Sequence, residues 1–134
     1  HGLEPFVEFT GWMEKKKLYE MFKEADVFIQ ARWRMDMTSY VLLEAMSFGL
    51  PSILPGGGGL QWVAGESALF FKDGDCDELA LRIEELGRDY ELRNKLSRNC
   101  YKRLTEDEMN HCKKARELLD SMEYVIKIEK DRGL

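Results

Sequence analysis

The sequence predicts an α/β fold in which a parallel sheet carries helices on its faces. Three observations lead there. Short apolar runs alternate with stretches whose apolar residues recur at helical spacing, the pattern of βαβ units with right-handed crossovers. The run Asp26-Val27-Phe28-Ile29-Gln30 is largely apolar, as a strand buried on both faces of a parallel sheet would be. Glycine and proline punctuate the ends of these runs rather than their middles.

Taken in order, Phe6-Val7-Glu8-Phe9 reads as a first strand ending at Thr10-Gly11. Glu14 to Glu24 is helical, with Leu18, Met21, Phe22 and Ala25 on one side. Residues 26 to 30 form the second strand, and Ala31 to Met37 a loop. Thr38 to Phe48 is a helix, with Thr38 or Ser39 as N-cap and Gly49 at its end. Pro51-Ser52-Ile53-Leu54 is the third strand, its proline in first position where a missing donor matters least. Pro55 to Gly59 is a glycine loop, followed by a short helical turn from Leu60 to Ala64. Ala68-Leu69-Phe70-Phe71 is the fourth strand, closed by the turn Asp73-Gly74-Asp75. Helical spacing runs on from Asp77 through Leu79, Leu86, Leu92, Leu96 and Cys100, and again from Glu106 to Lys130.

Bulk properties narrow the function. The chain has 134 residues, 44% hydrophobic and 34% charged, which suits one soluble domain or a piece of one. No apolar run approaches the ~20 residues of a membrane helix. His1 cannot initiate translation, so a longer parent protein is expected. A net charge of −5 is poorly matched to nucleic-acid phosphates, and no nucleic acid is expected as partner. Lys15-Lys16-Lys17, the basic cluster of note, reads as a solvated helix face. Three widely spaced cysteines (Cys76, Cys100, Cys112) contain no Cys-x-x-Cys, which fits a reducing cytoplasm. Cys100 with His111-Cys112 matches no zinc spacing.

In such sheets ligands sit beyond the carboxyl ends of the strands, here the loops Thr10 to Met13, Ala31 to Ser39 and Pro55 to Leu60. Glu44 is the most informative residue nearby, because its helix is otherwise apolar all round. A carboxylate there needs hydrogen-bond donors. Vicinal ribose hydroxyls would supply them; a helix-edge position, wet or paired with a lysine, would also satisfy it. Asp36, eight residues earlier, can accept from sugar hydroxyls or cap a helix. The helix start near Thr38-Ser39 offers free amides and a positive dipole end, suited to a diphosphate. Glycines 56 to 59 can cradle a phosphate or form a surface loop; no P-loop lysine or Gly-x-Gly-x-x-Gly accompanies them. Trp12, Trp33 and Trp62 can each stack on a base or sugar, or serve as core or rim aromatics.

Together these segments resemble family 4 (group 1) glycosyltransferases, a retaining group with the GT-B fold. Phe9-Thr10-Gly11 matches the family's Phe-x-Gly, and Ala25-Asp26-Val27-Phe28 its Ala-Asp-Val-Phe. Asp36 and Glu44 hold the places of two glutamates separated by seven residues. Leu43-Glu44-Ala45-Met46-Ser47-Phe48-Gly49-Leu50-Pro51 matches the segment around the second, and Gly58-Gly59 the Gly-Gly loop. The resemblance covers residues 6 to 103.

The resemblance implies a Rossmann-like parallel sheet with flanking helices, part of the C-terminal donor-binding domain. Residues 1–105 would be a partial nucleotide-sugar-binding domain and residues 106–134 a C-terminal helical segment. It implies a hexosyltransferase acting from a nucleotide-sugar donor on a glycan, lipid or small-molecule acceptor. The whole protein would be compatible with peripheral membrane association, and no cofactor or metal is implied. Glu44 would hold the donor ribose and Asp36 would contact the transferred sugar as the catalytic residue. Thr38 and Ser39 would face the diphosphate, Gly11 would flank the base pocket, and Gly58 and Gly59 would line the donor site. The chain departs from the pattern at Asp36, shorter than glutamate, and at Thr38-Ser39 in place of Phe-Gly. It also has Gln30-Ala31 in place of Pro-Ser, and Trp62 in place of a glutamate. These departures keep open a noncatalytic, degenerate GT-B-like binding or assembly module. The chain begins at what would be a middle strand of the donor domain, so it is expected to transfer no sugar alone.

Overall fold

A computed structural model describes residues 2–31 and 39–105. Three strands form one parallel sheet in the order β1 (Phe28–Ile29), β2 (Ser52–Pro55), β3 (Ala68–Phe71). Phe28 lies beside Ser52, and Ile53 beside Leu69. Helix α1 (Lys15–Glu24) precedes β1, α2 (Tyr40–Ser47) lies between β1 and β2, and α3 (Gly58–Ala64) between β2 and β3. Helices α4 (Cys76–Arg88) and α5 (Tyr90–Thr105) follow. This is the expected parallel α/β architecture.

The centre of the fold is β2, all four of whose residues are buried. Side chains on a strand alternate between faces, so one strand supplies two cores. Ile53 packs with Phe71, Leu86 and Leu96. Leu54 packs on the other face with Leu42, Met46, Leu60 and Cys100. Each such aliphatic side chain contributes about 1.5–3 kcal/mol on burial. Helix α5 ties the two cores together, with Leu96 in one and Cys100 in the other.

Local chemistry sets the ends of α2. Ser39 is the N-cap, its hydroxyl accepting from the Leu42 amide at 3.3 Å and donating to Gln30 Oε1 at 2.9 Å. Gly49 ends the helix at φ 72°. The amides of Gly49 and Leu50 return to the carbonyls of Met46 and Ala45 at 2.9 and 3.2 Å, a closure that needs a left-handed residue. A side chain at Gly49 would also meet the Tyr101 hydroxyl at 2.6 Å.

Four expectations are corrected. Residues 6 to 9 are not a strand: Glu4–Phe6 is a short 3-10 helix, and Val7 to Phe9 pair with no described strand. A strand is held by a neighbour's backbone, and without one the apolar side chains stay in solvent: Phe6 is 84% and Phe9 95% exposed. The second strand is not buried on both faces: Phe28 packs against Phe22 and Ala45 of the helices on one face, while Ile29 on the other is exposed. The glycine loop is shorter than expected, since Gly58 and Gly59 already belong to the first turn of α3. Helical spacing after Asp77 is broken at Asp89, whose carboxylate accepts from the Leu92 amide at 2.8 Å and starts a new helix. The helix expected over 106 to 130 lies outside the described residues.

Candidate functional site

Crossover helices run antiparallel to the strands they connect, so the starts of α2 and α3 lie toward the carboxyl ends of the strands. Glu44 is on the second turn of α2 and its side chain reaches α1. Its Oε1 accepts from the Tyr19 hydroxyl at 3.0 Å and lies 2.8 Å from Lys15 Nζ. Lys15 is the first residue of α1, which places the carboxylate at the level of that helix's first turn. The side chain of Glu44 is 26% exposed, between the buried faces of its helix and solvent. The lysine-paired arrangement is therefore the one seen, with a tyrosine added.

Electrostatics follow this geometry. The Lys15 ammonium holds the Glu44 carboxyl below its ordinary 4.5; burial opposes it, and the Tyr19 hydroxyl adds a lesser lowering. Glu44 raises the Lys15 ammonium in turn, with Tyr19 reinforcing it. Glu44 is thus an anion throughout the neutral range. Behind it an aromatic cluster sets the wall: Tyr19 lies 5.3 Å from Phe48 and 6.4 Å from buried Phe22, and Phe22 meets Phe28 edge-on at 6.1 Å.

Other site residues fall around the same edge. Ser39 spends its hydroxyl on capping α2 and on Gln30, which ties the end of β1 to the start of α2. Its helix leaves the Tyr40 and Val41 amides without intrahelical acceptors. Gly57 and Gly58 have φ of 100° and 63°, conformations that glycine adopts without a steric penalty. They let the chain turn from β2 into α3, where Gln61 Oε1 accepts from the Gly57 amide at 2.7 Å. Gly59 follows in that first turn, and Gly11 is exposed ahead of α1. Asp36, Thr38 and Trp33 lie outside the described residues. Trp12 is 89% exposed; Trp62 is half-exposed and carries the Arg103 guanidinium 5.6 Å from its ring centre.

Sequence reasoning missed Lys15 and Tyr19. Their i, i+4 spacing on α1 was the available signal, since it puts both on one side of the helix. An open depression of about 500 Å³ along Lys72 to Asp77 also lies beyond a strand end. Asp73, Asp75 and Asp77 line it, and their charge is unsuited to a diphosphate. Cys100 is a buried thiol that burial pushes up to about 11, bonded to the Leu50 carbonyl at 3.4 Å. That is a core thiol's chemistry, not a ligand's. Among the described residues no group of His, Cys, Asp and Glu is placed to hold a metal ion.

The parallel sheet, the carboxylate on the helix after β1 and the glycine turn after β2 together define a Rossmann-like domain of the GT-B type. The chain belongs to the group 1 glycosyl transferases, whose family model matches residues 1–103. It is 29% identical over 90 residues to the sulfoquinovosyl transferase SQD2 of Arabidopsis thaliana, covering 63% of this chain and 18% of that protein. Its fold is similar to that of a sucrose-phosphate synthase from Thermosynechococcus elongatus, with a TM-score of 0.69 and 24% identity over 89% of this chain and 32% of that one. The chain thus spans less than a third of either relative's length. Among the described residues no helix is long and apolar enough to cross a membrane.

Proposed function

We propose that this chain is the donor-binding part of a retaining, cytoplasmic glycosyltransferase that moves a hexosyl group from a nucleotide-activated donor. The acceptor is a glycan, a lipid or a small molecule. The observation that carries the reading is Glu44: an ionised, partly exposed carboxylate on a helix whose other faces pack into two cores. Lys15 and Tyr19 satisfy one of its oxygens, and vicinal ribose hydroxyls are donors that the rest of a carboxylate accepts well. The free amides at the start of α2 and the glycine turn after β2 support a neighbouring diphosphate. Asp36 would contact the transferred sugar, Thr38 and Ser39 the diphosphate, Gly11 the base, and Gly58 with Gly59 the donor. Residues 1–105 would form this partial domain and 106–134 a terminal helical segment.

A screen of nucleoside diphosphates and their sugars against the full-length protein tests the reading. Glu44→Ala should weaken both nucleotide affinity and transfer. Asp36→Ala should lower transfer by about 1.5–3 kcal/mol per lost charge-assisted hydrogen bond and leave nucleotide affinity nearly unchanged. Silence of both variants would remove the assignment.

The second reading, a noncatalytic binding or assembly module, is favoured by Trp62. The family's glutamate position holds an indole engaged by Arg103, which also donates to the Val63 carbonyl at 3.2 Å. Nucleotide binding without transfer by the full-length protein would select that reading.

A further inference from the structure

We propose that Tyr19 and Lys15 are positioning residues for the donor site: they anchor Glu44 through Oε1 and leave Oε2 to receive the ribose hydroxyls of a nucleoside diphosphate. The proposal rests on the assignment of Glu44 to the ribose.

Both α1 contacts converge on one oxygen, Tyr19 at 3.0 Å and Lys15 at 2.8 Å from Oε1. Among the described residues no hydrogen bond ends on Oε2. A carboxylate offers about four lone-pair sites. Two donors occupy those of Oε1, and the two left on Oε2 equal the number of hydrogens a vicinal diol donates. The tyrosine is placed independently of Glu44, because Phe22 and Phe48 hold its ring. The lysine ammonium is placed over that same ring, 5.5 Å from its centre. Glu44 has several rotatable bonds, and fixing one oxygen removes the disorder a ligand would otherwise have to overcome. A half-exposed ion pair contributes only ~0–1 kcal/mol to folding, so stability gives a weak reason for a three-residue cluster here. Pre-organisation of a ligand gives a better one.

The test uses the full-length protein and titrates uridine, adenosine and guanosine diphosphates against their dideoxyribose counterparts. The wild type, Tyr19→Phe, Lys15→Met and Glu44→Gln are compared. Phenylalanine keeps the ring and its packing, and methionine keeps the apolar stem, so both variants should fold; melting temperatures check this. The wild type should prefer the ribose form of its cognate base. Tyr19→Phe should lower that preference roughly two- to tenfold, the ordering cost of one side chain, while dideoxy affinity stays within about twofold. Lys15→Met should lower it less, because its exposed charge is screened. A purely structural role for Tyr19 would reduce both affinities together and would overturn the proposal. If Glu44→Gln loses the preference while Tyr19→Phe and Lys15→Met keep it, the ribose assignment stands and the positioning role fails. If the wild type shows no preference with any base, the assignment fails and the proposal with it.

Discussion

Helix α2 has two sides that obey different rules. Leu42, Ala45 and Met46 face the cores and are completely buried. Glu44, between them in sequence, reaches outward to Lys15 and Tyr19 on α1. On the inner side every residue is explained by the water it excludes. On the outer side the groups are charged, partly wet and joined through one carboxylate oxygen. The contrast teaches where to look for function in this domain. Side chains that packing accounts for carry the fold, and the cluster that packing does not account for is the candidate site.

The largest effect that would sharpen this contrast lies in the centre. Leu54→Ala leaves a cavity where β2, α2, α3 and α5 meet, and should destabilise the chain by about 2–5 kcal/mol. The midpoint of urea unfolding reads this directly. A smaller loss would mean that the surrounding helices collapse into the space.

Next comes the end of α2. Gly49→Ala forces a side chain into φ 72° and against the Tyr101 ring. Backbone strain of this kind costs about 1–3 kcal/mol before the clash is counted. The same unfolding midpoint should fall, and Tyr101 should lose its fixed environment in near-ultraviolet circular dichroism.

The outer side should behave in the opposite way. Glu44→Gln should shift stability by no more than ~1 kcal/mol, since a screened, partly exposed ion pair contributes little. A loss on the scale of Leu54→Ala would break the comparison and make Glu44 a structural residue.

The smallest effect is in the acid limb. Glu44 is held below 4.5 mainly by Lys15, so its folded state binds protons less readily than the unfolded chain. The stability this adds is present above 4.5 and is lost as pH falls through the depressed value. Lys15→Met should let the Glu44 carboxyl rise, so the acid unfolding midpoint moves to higher pH. An unchanged acid limb would show that the pair does not form in solution.

Much of this was legible in the sequence, though unevenly. The spans of α1, α2, β2 and β3 follow from periodicity and from Ser39 and Gly49 at the two ends of α2. Edge and pairing were not legible. Val27-Phe28-Ile29 reads as a strand covered on both faces, yet coverage depends on neighbours far along the chain. The same holds for Phe6 to Phe9, whose composition favours a strand while the described sheet provides no partner. The break at Asp89 is carried by one capping carboxylate within an otherwise continuous helical pattern. Glu44 stands out because its neighbours are apolar and a lysine partner is among its readings; the i, i+4 spacing puts Lys15 and Tyr19 on one side of α1, but not opposite Glu44, from which Tyr19 is 25 residues away. Gln30 read as a departure from the family pattern; its bond to Ser39 shows a use for it that only the folded chain reveals.

The central claim is that the outer side of α2 is built for a ligand. An experimental structure of the full-length protein with its nucleoside diphosphate tests this most directly, through the distance from the ribose hydroxyls to Glu44. The account predicts hydroxyl oxygens about 2.5–3.0 Å from Oε2, with Tyr19 and Lys15 still on Oε1. A ribose bound elsewhere, with Glu44 engaged only by Lys15 and Tyr19, would contradict it.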